Sequence, residues 1–259
     1  TELAYELIGL YLGSAELLGQ RTADIHKALS NSENPDFAPE PFTSFYQRSI
    51  YQYKRNLAGQ VLLDLKKQMS QLSAEDRQLA QTVINRKEQL MKRLASVLDL
   101  KISAMRTRCH GDYHLENVLY TGKDFAIVNF EGEPQRPLSE RRMKRSPLRD
   151  VAAMLQSFYY AAVIGLREEI KNGTIRPENV MLMEQWGQYW YSWVSATFLK
   201  SYLAHSGSEA FVPKTEEETQ TLLDAYMLEK AVYELSYELN NRPQWVEIPL
   251  SRILQLVEG

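Results

Sequence analysis

Two short apolar runs, Val118-Leu119-Tyr120 and Phe125-Ala126-Ile127-Val128, flank the segment Thr121-Gly122-Lys123-Asp124. β-Branched and aromatic residues in runs of this length, separated by a turn that contains glycine, predict a β-hairpin. The hairpin constrains the rest of the chain because a polar loop abuts each end: Asn117 directly precedes the first strand and Asn129 follows the second. Antiparallel pairing brings the second strand back to where the first began. Residues 117 and 129 are therefore expected to face one another across a common site.

Almost everything else carries helical spacing. Leu3, Leu7, Leu10, Tyr11, Leu17, Leu18, Ala23, Ile25 and Leu29 predict helix over residues 1 to about 31, with a break near Gly13 or Gly19. Pro35, Pro39 and Pro41 make residues 34–43 a loop. Beyond it Leu57, Val61, Leu62 and Leu65 form one helical face, and Leu79, Val83, Leu90, Leu94 and Leu98 form another. Ser73 and Asp76 have capping-box spacing between them. Ser146 as N-cap and Pro147 at the first helical position open a helix with Val151, Leu155, Phe158 and Val163 on its apolar side. Further helices are expected over 184–205, 215–240 and 249–257. The predicted fold is mainly α with a short β-hairpin, a single domain over 1–259. Within it, 1–100 form a helical scaffold, 101–150 the loops that carry chemistry, and 151–259 a helical substrate-side subdomain.

Composition excludes several partners. The 259 residues are 44% hydrophobic, enough to bury a core, and 30 basic against 33 acidic residues give a net charge of −3. That balance argues against binding nucleic acid or an anionic membrane surface. No apolar run approaches eighteen residues and the N-terminus has no signal-peptide pattern, so a soluble, cytoplasmic protein is expected. The single cysteine, Cys109, excludes an internal disulfide and a cysteine-based zinc site. It reads as a small buried hydrophobe rather than a nucleophile.

The loop before the hairpin is His110-Gly111-Asp112-Tyr113-His114-Leu115-Glu116-Asn117, and the loop after it begins Asn129-Phe130-Glu131-Gly132. In kinase-type phosphoryl transfer an Asp on a short loop accepts the substrate hydroxyl proton, an Asn five residues on holds a metal ion, and an Asp heading a D-F-G triplet holds another. Asp112 and Asn117 keep the five-residue step. At the third place, where the chemistry wants a carboxylate, stands Asn129. Nothing before Ile102 reads as an antiparallel sheet, and no glycine-rich phosphate loop occurs. The expectation is the C-terminal large lobe of a protein-kinase-like fold, with the N-terminal β-rich lobe absent.

The runs 108–114, 118–125 and 129–134, then Arg136-Pro-Leu-Ser-Glu-Arg-Arg142, Lys144-Arg-Ser-Pro-Leu-Arg-Asp150 and Glu229 to Pro243, closely resemble maltokinases. The resemblance includes the maltokinase-like domains at the C-terminus of trehalose synthase fusions, and it covers nearly the whole chain. It implies a fold of the aminoglycoside and choline phosphotransferase type, with ATP and Mg2+ as cofactors in the complete enzyme and maltose or a related small sugar as acceptor, converted to maltose 1-phosphate. By that resemblance Asp112 is the catalytic base. Asn117 stands where the family usually has Gln, and Asn129 replaces the metal-binding Asp. The isolated chain is expected to be inactive, for want of the preceding lobe and of that carboxylate.

Several residues keep two readings. His110 and His114 have the spacing of paired zinc ligands, but with no further His or Cys beside them they, like Asp150, are expected to support the loop by hydrogen bonding. The basic run from Arg136 to Arg149 suits a phosphate or sugar acid, or equally a solvated face paired with nearby glutamates. Trp186, Tyr189, Trp190 and Trp193 suit a sugar face or a helical core. Glu234, Glu238, Asn241 and Arg242 are the expected substrate-binding positions. Two further functions stay open: a catalytically dead sugar-binding or structural domain attached to a trehalose synthase, and a phosphotransferase for an aminoglycoside, choline or another small alcohol.

Overall fold

The computed structural model describes residues 2–30 and 34–258. The helical expectation at residues 1 and 31 lies outside the described residues. In chain order come helices α1 (Glu2–Ile8) and α2 (Leu10–Ser30), strand β1 (Glu40–Pro41), helices α3 (Ser44–Gln68), α4 (Ala74–Asn85) and α5 (Lys87–Ala95), and strands β2 (Met105–Arg106), β3 (Val118–Tyr120) and β4 (Phe125–Ile127). Helices α6 (Leu138–Arg141), α7 (Leu148–Lys171), α8 (Val180–Ser206), α9 (Glu216–Asn241) and α10 (Glu247–Glu258) complete the chain. Among the described residues the strands form two small sheets, β1 with β2 and β3 with β4. The fold is thus mainly helical with the expected hairpin, whose register pairs Val118 with Ile127 and Tyr120 with Phe125.

The chain forms two compact units: residues 1–40 with 105–212, and residues 41–104 with 213–259. These boundaries cut across the linear division at residues 100 and 150. Periodicity shows which face of a helix is apolar but not which distant helix covers it.

In the first unit α2 lies along α8, and α7 also packs on α8. Leu12, Ala15, Leu18 and Ala23 are buried from α2, Val151, Leu155 and Phe158 from α7, and Val194, Phe198 and Tyr202 from α8. Phe158 meets Phe198 edge to face at 5.5 Å between centroids, a favoured aromatic geometry. The helix break falls at Gly9, not at Gly13 or Gly19. Gly9 closes α1 at φ +69° and donates its N–H to Tyr5 O at 3.0 Å, a left-handed helix end that glycine adopts without strain. Gly19 is instead a contact residue, because a Cβ there would lie 2.5 Å from Phe198 O of α8. Leu3, Leu7 and Leu10, expected on the apolar stripe, are exposed, Leu10 by 94%.

The second unit packs α3 against α9 and α9 against α10. Its core includes Val61, Leu62 and Leu65, Val83, Leu90 and Leu94, Leu228, Val232 and Leu235, and Leu250 and Ile253. Leu98, expected on the second face, is exposed because it ends a short 3-10 turn past the last buried turn of α5. Ser73 caps α4, accepting from Asp76 N–H at 3.0 Å. Inside this core Lys54 Nζ lies 3.2 Å from Glu229 Oε2 and 3.8 Å from the Tyr226 ring centroid. No helix among the described residues is long and apolar enough to cross a membrane.

Candidate active site

The site is assembled in the first unit around residues 110–117. Helix α7 starts one residue later than expected, at Leu148, whose N–H is held by Ser146 Oγ at 3.3 Å. That start places Asp150 in the first turn, where helix and loop backbone share one carboxylate. Its Oδ2 accepts the His110 N–H at 2.7 Å and its Oδ1 accepts the Gly111 N–H at 3.0 Å. His26 of α2 reaches the same carboxylate through Nε2 at 3.3 Å. Burial pushes the Asp150 pKa up, but the hydrogen bond and charge of His26 and the hydrogen bond from the Gly111 N–H outweigh it. The carboxyl is held below its usual range, and an ionised Asp150 only accepts, so the His26 proton on that side sits on Nε2.

Tyr113, between Asp112 and His114, is anchored to α2 in the same way. Thr22 Oγ1 donates to Leu18 O at 2.7 Å and therefore accepts the Tyr113 O–H, also at 2.7 Å. Burial pushes the Tyr113 phenol well above its usual range and the hydrogen bond with Thr22 opposes that rise. Sequence reasoning missed Thr22 and His26. Their signal was two polar residues four apart, interrupting the stripe of Leu12, Ala15, Leu18 and Ala23.

His110 joins the loop to the hairpin. Nε2 lies 2.7 Å from Val128 O, an acceptor, so the ring proton is there, and Nδ1 accepts the Asp112 N–H at 3.3 Å. The ring also lies against Phe130, with centroids 4.8 Å apart. His114 sits beside Asn117, whose Nδ2 is 3.1 Å from His114 Nε2. As that nitrogen accepts, the 3.6 Å approach of His114 Nε2 to Asp112 Oδ2 is a contact of two acceptors rather than an ion pair. Among the described residues no three His, Cys, Asp or Glu side chains are grouped to hold a metal ion.

The two hairpin ends meet. Asn117, 5% exposed, donates from Nδ2 to Asp112 O at 2.7 Å, which turns its Oδ1 toward Asn129. Asn129 Nδ2 donates to that oxygen at 2.8 Å. Asn129 has φ +65°, a left-handed conformation that asparagine tolerates better than most residues. A Mg2+ ion at this place requires oxygens, largely carboxylate, turned toward it. Here an N–H donor points at the one buried oxygen, and the side chain at 129 carries no charge. At roughly 2 Å one missing carboxylate charge removes about 4 kcal/mol of attraction for a divalent ion even at the dielectric constant of water. The residues present do not fit the ion.

Glu234, Glu238, Asn241 and Arg242 belong to the second unit. There Glu238, 1% exposed, holds Arg242 through a two-bond fork of 2.7 and 2.9 Å, and Arg242 stacks on Trp245 at 4.2 Å. Glu234 lies 3.6 Å from Lys230, and Asn241 bonds back to Tyr237 O. Of the aromatics on α8, Trp190 packs on Tyr11 at 5.0 Å, while Trp186 and Trp193 flank Tyr189. The Cys109 sulfur faces the carbonyls of Thr107 and Arg145, and burial pushes its pKa far above the thiol range.

A loop with an Asp and, five residues on, an Asn, followed by a hairpin and a second polar loop, all set on helices, defines a kinase-like large lobe. The profile of the phosphotransferase enzyme family (APH) matches residues 13–175. The chain belongs to that family. Its fold is similar to that of a solved glucosamine kinase, with TM-score 0.72, 18% identity and coverage of 95% of this chain and 53% of the other. A structure titled as glucosamine kinase in complex with glucosamine, ADP and inorganic phosphate gives TM-score 0.74 at 19% identity, over 95% of this chain and 55% of the other. The chain spans about half the length of these structures.

Proposed function

We propose that this chain is the large lobe of an ATP-dependent phosphotransferase whose acceptor is a small sugar, maltose by its sequence resemblance, held in a poorly active form by Asn129. The observation that carries the reading is the clamped loop: Asp150 fixes the backbone of residues 110 and 111, directly before Asp112. A rigid loop is what a general base needs, since misplacement by an ångström costs catalysis heavily. In this reading Asp112 accepts the proton of the sugar hydroxyl, and a preceding β-rich lobe covers the nucleotide. The glucosamine kinase solved with glucosamine and ADP supports a sugar acceptor and a nucleotide donor for this fold. Mg2+ is the ion such transfers use, and it finds no fitting donor set at residues 117 and 129.

The amide pair of Asn117 and Asn129 also favours a second reading, a sugar-binding domain without turnover, appended for example to a trehalose synthase. One experiment separates the two. The chain is joined behind a nucleotide-covering lobe, and ATP consumption is measured with maltose, glucosamine, an aminoglycoside and choline, for the native sequence and for Asn129→Asp. The expected result is maltose-dependent ADP formation by the variant, about a hundredfold faster than by the native chain, and none by the isolated chain. A variant that stays inactive with every acceptor removes the enzyme reading, and a preference for another acceptor removes maltose.

A further inference from the structure

Between α2 and the hairpin the first unit keeps an apolar cavity of about 250 Å3, partly open to solvent. Ala15 and Leu18 of α2 form one wall, Val118 and Phe125 of the hairpin another, and Leu115 and Phe158 complete it. Strand side chains alternate between faces, so the cavity lies on the side of Val118 and Tyr120, while Leu119, 53% exposed, belongs to the opposite face.

The rings around this space are held at its edges by partners of their own. Tyr11 packs on Trp190 at 5.0 Å, Phe158 on Phe198 at 5.5 Å and Tyr120 on Phe125 at 5.5 Å, and the Tyr120 hydroxyl donates to Gly122 O at 2.7 Å. The hairpin is also pinned to α2, since Arg21 donates to both carboxylate oxygens of Asp124 in the turn, at 2.7 and 2.8 Å. A partly exposed fork of this kind fixes geometry more than it adds stability. The space is therefore preformed, as ligand sites usually are. Left unfilled it costs stability, because the lining atoms lack partners on one side.

The lining decides what fits. No charged side chain lines the cavity, and the side-chain polar groups around it are the hydroxyls of Tyr11, Ser14 and Tyr120. Burial pushes the Tyr11 phenol above its usual value, so at neutral pH it stays uncharged. A charged ligand would give up its hydration here without meeting a counter-charge. As to size, an apolar cavity of about 150 Å3 takes benzene, which leaves room in this one for a second ring.

We propose that this cavity binds a neutral two-ring aromatic molecule with a single polar atom, of the size and polarity of indole. Its occupant touches Leu115 and Val118, so it lies against the end of the loop that carries Asp112. The site is independent of the phosphotransferase reading: turnover does not require it, and its absence leaves the role of Asp112 untouched.

The test is titration of the chain with indole, benzoate, glucose and adenosine, following the methyl resonances of Ala15, Leu18, Leu115 and Val118. Saturable shifts are expected with indole, with a dissociation constant on the order of 1 mM, while Leu235 in the second unit stays unmoved. Benzoate, glucose and adenosine should bind at least about tenfold more weakly. Ser14→Leu fills the cavity from α2 and Val118→Phe fills it from the hairpin, and each should weaken indole binding about tenfold. Ala126→Leu, on the exposed face of the hairpin, should change nothing. The proposal is overturned by shifts that do not saturate, by benzoate, glucose or adenosine binding as tightly as indole, or by binding that survives both filling variants.

Discussion

Asn129 donates its side-chain N–H to Asn117 Oδ1 at 2.8 Å, so the two ends of the hairpin are joined by an amide pair where kinase chemistry places a cation. Replacing Asn129 by Asp exchanges this donor for a carboxylate facing an amide oxygen. Without divalent ions the variant is expected to be less stable by about 1–2 kcal/mol, the cost of an unmade buried hydrogen bond. With Mg2+ at a hundredfold excess over its dissociation constant it regains about 2.7 kcal/mol, several degrees in melting temperature. The native chain should melt at the same temperature with or without Mg2+. Thermal unfolding of the two proteins across a Mg2+ series decides it, and equal Mg2+ responses would refute the account.

Asp150 joins His26 to the backbone of residues 110 and 111, and its carboxyl is held below the usual range. A carboxyl with a lowered folded pKa contributes stability that is complete above its unfolded pKa and is lost as pH falls through the folded one. Asp150→Asn, which breaks a buried pair, should cost about 3 kcal/mol at neutral pH. The gap between native and variant should then close as pH falls below about 4. Urea midpoints over an acidic pH series measure it, and a gap that widens on acidification contradicts the assignment.

Gly13 and Gly19 occupy the same helix with opposite surroundings. A Cβ at Gly13 meets nothing within 4 Å, whereas at Gly19 it would press on Phe198 O and Ser201 Cβ of α8. Gly13→Ala should stabilise the chain by about 1 kcal/mol through helix propensity. Gly19→Ala should destabilise it by about 1–2 kcal/mol despite the same propensity gain, because overpacking dominates. Chemical denaturation of the two variants gives the signs directly.

Lys54 and Glu229 form an ion pair inside the second unit's core, with side chains 0% and 6% exposed. Removing one charge leaves the other buried, so Glu229→Gln or Lys54→Met alone should each cost about 3–5 kcal/mol. The double substitution should cost much less than the two together. A double-mutant cycle in urea tests this, and additive single costs would exclude a direct coupling.

What the sequence disclosed was local. The hairpin, the Ser73 cap, the start of α7 to within one residue and the spacing from Asp112 to Asn117 each depend on residues a few positions apart, where side-chain type restricts backbone geometry directly. The approach of Asn117 to Asn129 followed because a hairpin of known turn has a known register. The supports of the loop were hidden for the opposite reason. His26 lies 124 residues from Asp150 and Thr22 lies 91 from Tyr113, separations over which neither pattern nor propensity carries information. The interleaving of the two units was hidden likewise. Asn129 was visible as a departure from a motif, but only the geometry shows that its amide completes a hydrogen bond instead of leaving one open.

The interleaving also sets an order of events during synthesis. Helix α2 ends at Ser30, yet α8, which covers its buried face, begins at Val180, and the intervening residues 41–104 belong to the other unit. At ribosomal rates that interval lasts on the order of ten seconds. For that time Leu12, Ala15, Leu18 and Ala23 travel with the nascent chain uncovered, a stripe suited to a holding chaperone and costly without one. A circular permutant that begins at residue 105 makes α8 before α2 and moves a shorter wait onto the buried face of α8.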